Sequence, residues 1–194
     1  MESTADTARH LVFVYGTLKR GQPNYAKYTA DRSNGRVAQF VSRAETEKCY
    51  PLIVASRYNI PCLLPAESQG KHVIGEMYRI NDAMLLHMDS LEGCPRYYER
   101  HSLSVRLLDD EAPSSGATEH VKGDLIICNV YFLTDFKPEM LTDRPLLTEF
   151  DGYTEPKYIS KAEAKGPKDM EAAMAELKIL TKPMEATVAF LRSQ

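Results

Sequence analysis

The chain has 194 residues, 43% of them hydrophobic and 26% charged, with 24 Lys and Arg against 27 Asp and Glu. That composition can build a core, which excludes a wholly disordered chain, and it lacks the basic excess that a nucleic-acid-binding face requires. No apolar run is long enough for a membrane-spanning helix, and the polar, acid-containing stretch Met1 to His10 does not read as a secretory signal, so a soluble, cytoplasmic protein is expected.

Leu11-Val12-Phe13-Val14-Tyr15 is a short apolar, β-branched and aromatic run that stops at Gly16-Thr17, the pattern of a buried strand entering a turn. Gly16 to Pro23 predicts a loop and Asn24 to Thr29 the start of a short helix. Val37–Val41 and Tyr50–Val54 predict strands, the second with Pro51 at its start, where a missing N–H costs least. Asn59-Ile60-Pro61 predicts a turn. His72 to Ile80 alternates, with Ile74, Glu76, Tyr78 and Ile80 on one face and Val73, Gly75, Met77 and Arg79 on the other. Asn81 and Asp82 suit the start of a helix running to about Glu92, which Gly93 and then Pro95 end. His101 to Leu107 alternates again, placing Leu103, Val105 and Leu107 together. Asp109 to Gly123 predicts a loop and Leu125 to Leu133 a near-continuous apolar strand.

Beyond Lys161, Met170, Met174 and Leu177 fall at helical spacing, as do Met184, Val188 and Leu191 after Pro183. Two amphipathic C-terminal helices are expected there, packed on the chain's own surface or offered to a partner or a second copy. About six strands, one internal helix and no βαβ rhythm predict an α+β fold. Its sheet is expected to be mostly antiparallel and barrel-like.

The four cysteines, Cys49, Cys62, Cys94 and Cys128, include no Cys-x-x-Cys pair, and the five histidines show no His-x-x-x-His spacing. No metal site is expected. Cys128, inside an apolar run, reads as a small buried hydrophobe.

Two features carry chemistry. On a helical wheel Met84, Leu85, Met88 and Leu91 define the buried sector, and at ~100° per residue Glu92 falls about 80° from Met84, inside that sector, with Asp89 at its edge. A carboxylate there is costly, and the adjacent helix C-terminus also disfavours its charge. Both effects favour a carboxyl that gains and loses a proton near neutrality, as a general base or acid must. The bland alternative is that Glu92 swings into solvent or meets Arg96 or Arg100. The second feature is Tyr15-Gly16-Thr17-Leu18-Lys19-Arg20-Gly21. A strand ending in a glycine turn can aim several N–H groups at one anion, but the Gly-Lys-Ser/Thr ending of a nucleotide loop is missing.

Together these residues resemble a known family. Phe13-Val14-Tyr15-Gly16-Thr17-Leu18 followed by Lys19-Arg20-Gly21-Gln22-Pro23-Asn24 resembles the signature of the gamma-glutamyl cyclotransferase-like superfamily, nearest its gamma-glutamylamine-specific branch. Tyr50-Pro51-Leu52, Asn59-Ile60-Pro61, Gly75-Glu76-Met77-Tyr78, Met88-Asp89-Ser90-Leu91-Glu92 with Cys94-Pro95, and Tyr98-Glu99-Arg100 agree in order, over roughly two-thirds of the chain. The resemblance implies a small mixed β-barrel with flanking helices and a cavity at its mouth. It assigns the catalytic carboxylate to Glu92 and a backbone substrate cradle to Tyr15, Gly16, Thr17 and Leu18, with no metal or organic cofactor.

The resemblance further implies cyclisation of a gamma-glutamyl group to 5-oxoproline with release of an amine, the ε-amine of lysine in the amine-specific branch. Gamma-glutamyl amino acids and glutathione are the alternative substrates. A non-enzymatic interaction protein using the C-terminal helices is the alternative class, and Glu92 is the residue such a module does not need. The expected organisation is a tail over 1–10, a catalytic domain over 11–155 and a helical extension over 156–194. Tyr153 and Tyr158 are candidates to cover the cavity. The small-molecule substrate is the expected partner.

Overall fold

In β1 (His10–Val14) the residues Val12, Phe13 and Val14 are buried on both faces, which is why that end of the strand is apolar without alternation. Phe13 faces one core cluster and Val12 and Val14 another. The computed structural model describes residues 8–110, 120–154, 156–160, 163 and 172. The predicted helices around Met170 and Met184 lie outside them, as does most of the 109–123 loop.

Five strands close a barrel in the order β1, β5 (Ile74–Ile80), β2 (Ala38–Thr46), β6 (Glu99–Leu107), β7 (Leu125–Phe132). Four of the pairings are antiparallel, and the ring closes through the parallel contact of β7 with β1, at Val12 opposite Asn129. β2 carries a register shift between Phe40 and Ser42, the kind of bulge that bends a strand around a small barrel. The expected mixed, mostly antiparallel α+β barrel is the observed fold.

Leu103, Val105 and Leu107 from β6 and Cys128, Val130 and Phe132 from β7 fill the barrel interior with Met77, Phe13 and Val41. The opposite face of β7 has two fates. Leu125 and Ile127 point to solvent, 46% and 73% exposed, whereas Tyr131 is covered. The near-continuous apolar run therefore overstates the burial of β7, because helix cover reaches only its C-terminal half.

That cover is α1 (Asp82–Glu92), with Met84 and Met88 fully buried against Val12, Val14, Tyr78 and Ile80. Its ends are set locally. The Asn81 side chain accepts the Met84 N–H at 3.1 Å, and Gly93 closes the helix in the left-handed region at φ 61°. A side chain at Gly93 would also meet Tyr97 Cδ2 at 2.5 Å.

A separate two-stranded sheet pairs β3 (Leu52–Ala55) with β4 (Ile60–Leu63). This corrects one expectation: only Asn59 belongs to the turn, with φ 55°, and Ile60 and Pro61 start a strand. Pro61 faces Val54 in a hairpin only two strands wide, where its missing N–H is tolerated. Leu133 N donates to Leu63 O at 2.9 Å and tethers the hairpin to the end of β7. Among the described residues no helix is long and apolar enough to cross a membrane, and no cluster of His, Cys, Asp or Glu could hold a metal ion.

Candidate active site

A cavity of about 230 Å³ opens where the end of β1, the C-terminal turn of α1 and the hairpin meet. The loop after β1 contributes Tyr15, Gly16, Thr17 and Leu18. The helix end contributes Ser90, Leu91, Glu92 and Gly93, and β4 contributes Ile60 and Pro61. All five residues singled out from the sequence line this one cavity, although up to 77 positions separate them. Glu92 is partly buried. Of its two anticipated cationic partners, Arg100 is committed elsewhere, to Asp89 at 2.8 Å.

The loop is held from behind. The buried Glu76 carboxylate accepts the Arg20 N–H at 2.8 Å and Arg20 Nε at 3.0 Å, and Tyr78 OH donates to it at 2.6 Å. Lys19, 4% exposed, pairs with Glu149 at 2.9 Å. Asn24 donates its backbone N–H to Thr17 O and its side-chain N–H to Thr17 Oγ1, both at 3.0 Å. No acceptor among the described residues takes the N–H groups of Gly16, Thr17 or Leu18. A row of N–H groups left over at a cavity wall is the arrangement that binds a carboxylate or an oxyanion. Gly16 has a steric reason to be glycine, since a Cβ there would stand 2.7 Å from Pro61 Cγ.

Tyrosines form much of the remaining wall: Tyr15, Tyr97, Tyr98, Tyr131 and Tyr158. Sequence reading flagged only Tyr15 and, among two choices, Tyr158. Tyr153 is 58% exposed and lines no part of the cavity. Tyr158 is carried in by the segment after Gly152 and accepts a hydrogen bond from Asn24 Nδ2 at 3.1 Å. Tyr158, just past the expected 11–155 catalytic domain, thus contributes to the cavity. Tyr15 OH donates to Tyr131 O at 2.8 Å, and Tyr131 OH donates to Asp89 Oδ1 at 2.7 Å. Burial pushes the phenols of Tyr15, Tyr98, Tyr131 and Tyr158 above their ordinary range, and the nearby Glu92 carboxylate adds to the push on each. Cys62, buried behind Tyr98, has its thiol pushed up to about 12 by burial, so it is not a nucleophile at neutral pH.

The model of the family described as gamma-glutamyl cyclotransferase, AIG2-like, matches residues 12–149. The chain belongs to that family. Membership places it among the cyclotransferase enzymes, and the matched span contains Glu92 and the whole 15–18 loop. The chain is similar to human gamma-glutamylaminecyclotransferase, 45% identical over 129 residues, which cover 66% of this chain and 82% of the human one. The rat protein of the same name is 42% identical over 130 residues, 67% of this chain and 82% of the relative. The crystal structure of a mouse AIG2-like protein matches at a TM-score of 0.68 and 35% identity, covering 78% of this chain and 97% of the mouse chain.

Proposed function

We propose that this cyclotransferase acts on gamma-glutamylamines, with Glu92 as the proton-transfer group and the Gly16–Leu18 backbone as the anion cradle. The observation that carries the reading is the convergence on one small cavity of a half-buried carboxylate and a loop whose three N–H groups have no acceptor among the described residues. The human and rat relatives bear the name gamma-glutamylaminecyclotransferase, which supports an amine rather than a peptide leaving group.

The substrate enters with its α-amino group protonated. The Glu92 carboxylate takes one proton from the ammonium. The freed amine attacks the γ-carbonyl carbon of the same molecule, forming a C–N bond and a tetrahedral oxyanion. Holding both groups in one cavity turns the attack into a local event, which supplies much of the rate gain. The loop N–H groups stabilise either the substrate carboxylate or the oxyanion. Glu92 then gives its proton to the leaving nitrogen as the γ-amide bond breaks. The ring nitrogen still carries two hydrogens and loses the second as a proton to the regenerated Glu92 carboxylate, which passes it to the departing amine or to water, so the products are 5-oxoproline and the protonated amine, with no redox change. Residues 11–155 form the catalytic unit in this reading, with Tyr158 closing the wall from the segment that follows.

The test is release of 5-oxoproline from gamma-glutamyl-ε-lysine, gamma-glutamyl-alanine and glutathione, measured side by side. Turnover of the lysine compound is expected to dominate; turnover of glutathione alone would refute the amine assignment. Glu92→Gln keeps the shape and removes the base, so kcat is expected to fall by ~10²–10⁴ with an unchanged melting temperature. Full activity in that variant would remove Glu92 from the mechanism.

A further inference from the structure

We propose that Tyr131 is the receptor for the substrate's α-ammonium group, made an acceptor by the commitment of its own proton to Asp89. The inference deepens the function proposed above and rests on it.

Tyr131 is 4% exposed and lines the cavity. Its hydroxyl donates to Asp89 Oδ1 at 2.7 Å, and Arg100 holds the same carboxylate with contacts of 3.0 and 2.8 Å to its two oxygens. A phenol whose proton is fixed on a carboxylate turns its oxygen lone pairs elsewhere and becomes a stronger acceptor. Among the described residues nothing donates to that oxygen, so a buried acceptor stands unfilled at a cavity wall.

Three of the other cavity phenols do not offer this. Tyr15 OH gives its proton to a neutral carbonyl, Tyr131 O. Tyr98 OH is shared between Cys62 Sγ and Pro61 O, each at 3.4 Å. Tyr158 OH already accepts from Asn24. Tyr131 is the one of these four whose hydrogen-bond partner is a carboxylate. Its phenol also lies close enough to Glu92 for the two to interact electrostatically. A cationic nitrogen seated between the Glu92 carboxylate and the Tyr131 oxygen therefore meets one negative group and one polarised acceptor, and Arg100 is screened behind Asp89. When Glu92 removes a proton, a remaining N–H still points at the phenol oxygen. That contact aims the nitrogen lone pair at the γ-carbonyl instead of leaving the amine free to rotate. Asp89 acts only through Tyr131 and is a positioning residue.

The experiment compares gamma-glutamyl-ε-lysine with N-butylglutaramate, which keeps the γ-amide and carboxylate but has no α-amino group. Tyr131→Phe removes the acceptor while leaving the backbone carbonyl that holds Tyr15. A lost hydrogen bond to a charged group predicts a rise in KM on the order of 10-fold or more for the lysine compound. The inhibition constant of N-butylglutaramate should stay within about twofold of wild type. Asp89→Asn keeps the phenol but weakens its polarisation, so a smaller rise in KM with the same ligand selectivity is expected, which also serves if Tyr131→Phe fails to fold. Equal weakening of both ligands would show a general packing defect and overturn the proposal. An unchanged KM in both variants would overturn it as well. Wild-type protein that releases no 5-oxoproline would instead refute the functional reading itself.

Discussion

Gly16→Ala is the sharpest test of how the loop and hairpin define the cavity. A Cβ at position 16 would sit 2.7 Å from Pro61 Cγ, about 0.7 Å inside the 3.4 Å at which ordinary contact begins. Gly16 does not occupy the left-handed region, so the backbone conformation itself tolerates alanine. The cost is purely steric. Pro61 cannot rotate away, because its ring is closed onto a β4 backbone paired with Val54. The loop must therefore move, and Glu76 and Lys19 anchor its far end. Overpacking of this size costs about 1–3 kcal/mol, and displacement of a catalytic group by about 1 Å can cost 10²-fold in rate. Gly16→Ala is thus expected to lower kcat for 5-oxoproline release by about 10- to 100-fold with a modest loss of melting temperature. Pro61 Cβ lies at 3.5 Å, an ordinary distance, so Pro61→Ala removes the clash and leaves tolerable contact. The double variant Gly16→Ala, Pro61→Ala should recover most of the lost activity relative to Pro61→Ala alone. A single variant with wild-type kcat, or a double variant with strictly additive losses, would refute the reasoning.

The remaining predictions concern the scaffold. Asn81 is fully buried, and its Oδ1 accepts from both Met84 N and Val37 N while its Nδ2 donates to Gly35 O at 2.8 Å. Asn81→Ala orphans all three groups and should destabilise the fold by about 2–4 kcal/mol, measured by urea unfolding; a loss below 1 kcal/mol would show that water replaces the cap. The thiols of Cys62 and Cys128 are both pushed up to about 12 by burial. The folded state holds these protons where the unfolded chain, with thiols near 9.0, releases them. Stability contributed by the two groups is complete below pH 9 and declines as pH rises from there toward about 12. Iodoacetamide at pH 8 should accordingly label the partly exposed Cys49 and Cys94 first, with Cys62 and Cys128 reacting only after denaturation; peptide mass mapping reads the order.

Much of this protein is readable from local pattern. Asn81 at a helix start and Gly93 at its end are short-range signals, and α1 runs between them, Asp82 to Glu92. The alternation of Leu103, Val105 and Leu107 fixes which face of β6 turns inward because side chains on a strand repeat every two residues. Glu92 stood out because a carboxylate on an apolar helix face conflicts with its surroundings, and such conflicts concentrate at functional sites. β4 was hidden: it is four residues long, starts next to a left-handed Asn59 and contains a proline, all of which mimic a turn. Leu125 and Ile127 misled in the other direction, since hydrophobicity reports what can be buried and not what is covered.

The cavity itself belongs to neither class of local signal. Tyr131 carries no periodic or motif signature that separates it from ordinary core residues, and Tyr98 and Asn24 lie in stretches that resemble the family without any local sign that they meet at one cavity. Their roles depend on β7 closing against β1, which brings the Tyr131 carbonyl to Tyr15 and its phenol to Asp89. Composition, length and short-range spacing determined most of the elements, the helix caps and which residues are candidates for the site, because those rest on interactions between neighbours in the chain. Barrel closure alone decided which of them face one another, because joining residues 15, 92 and 131 requires contacts that only the folded sheet supplies.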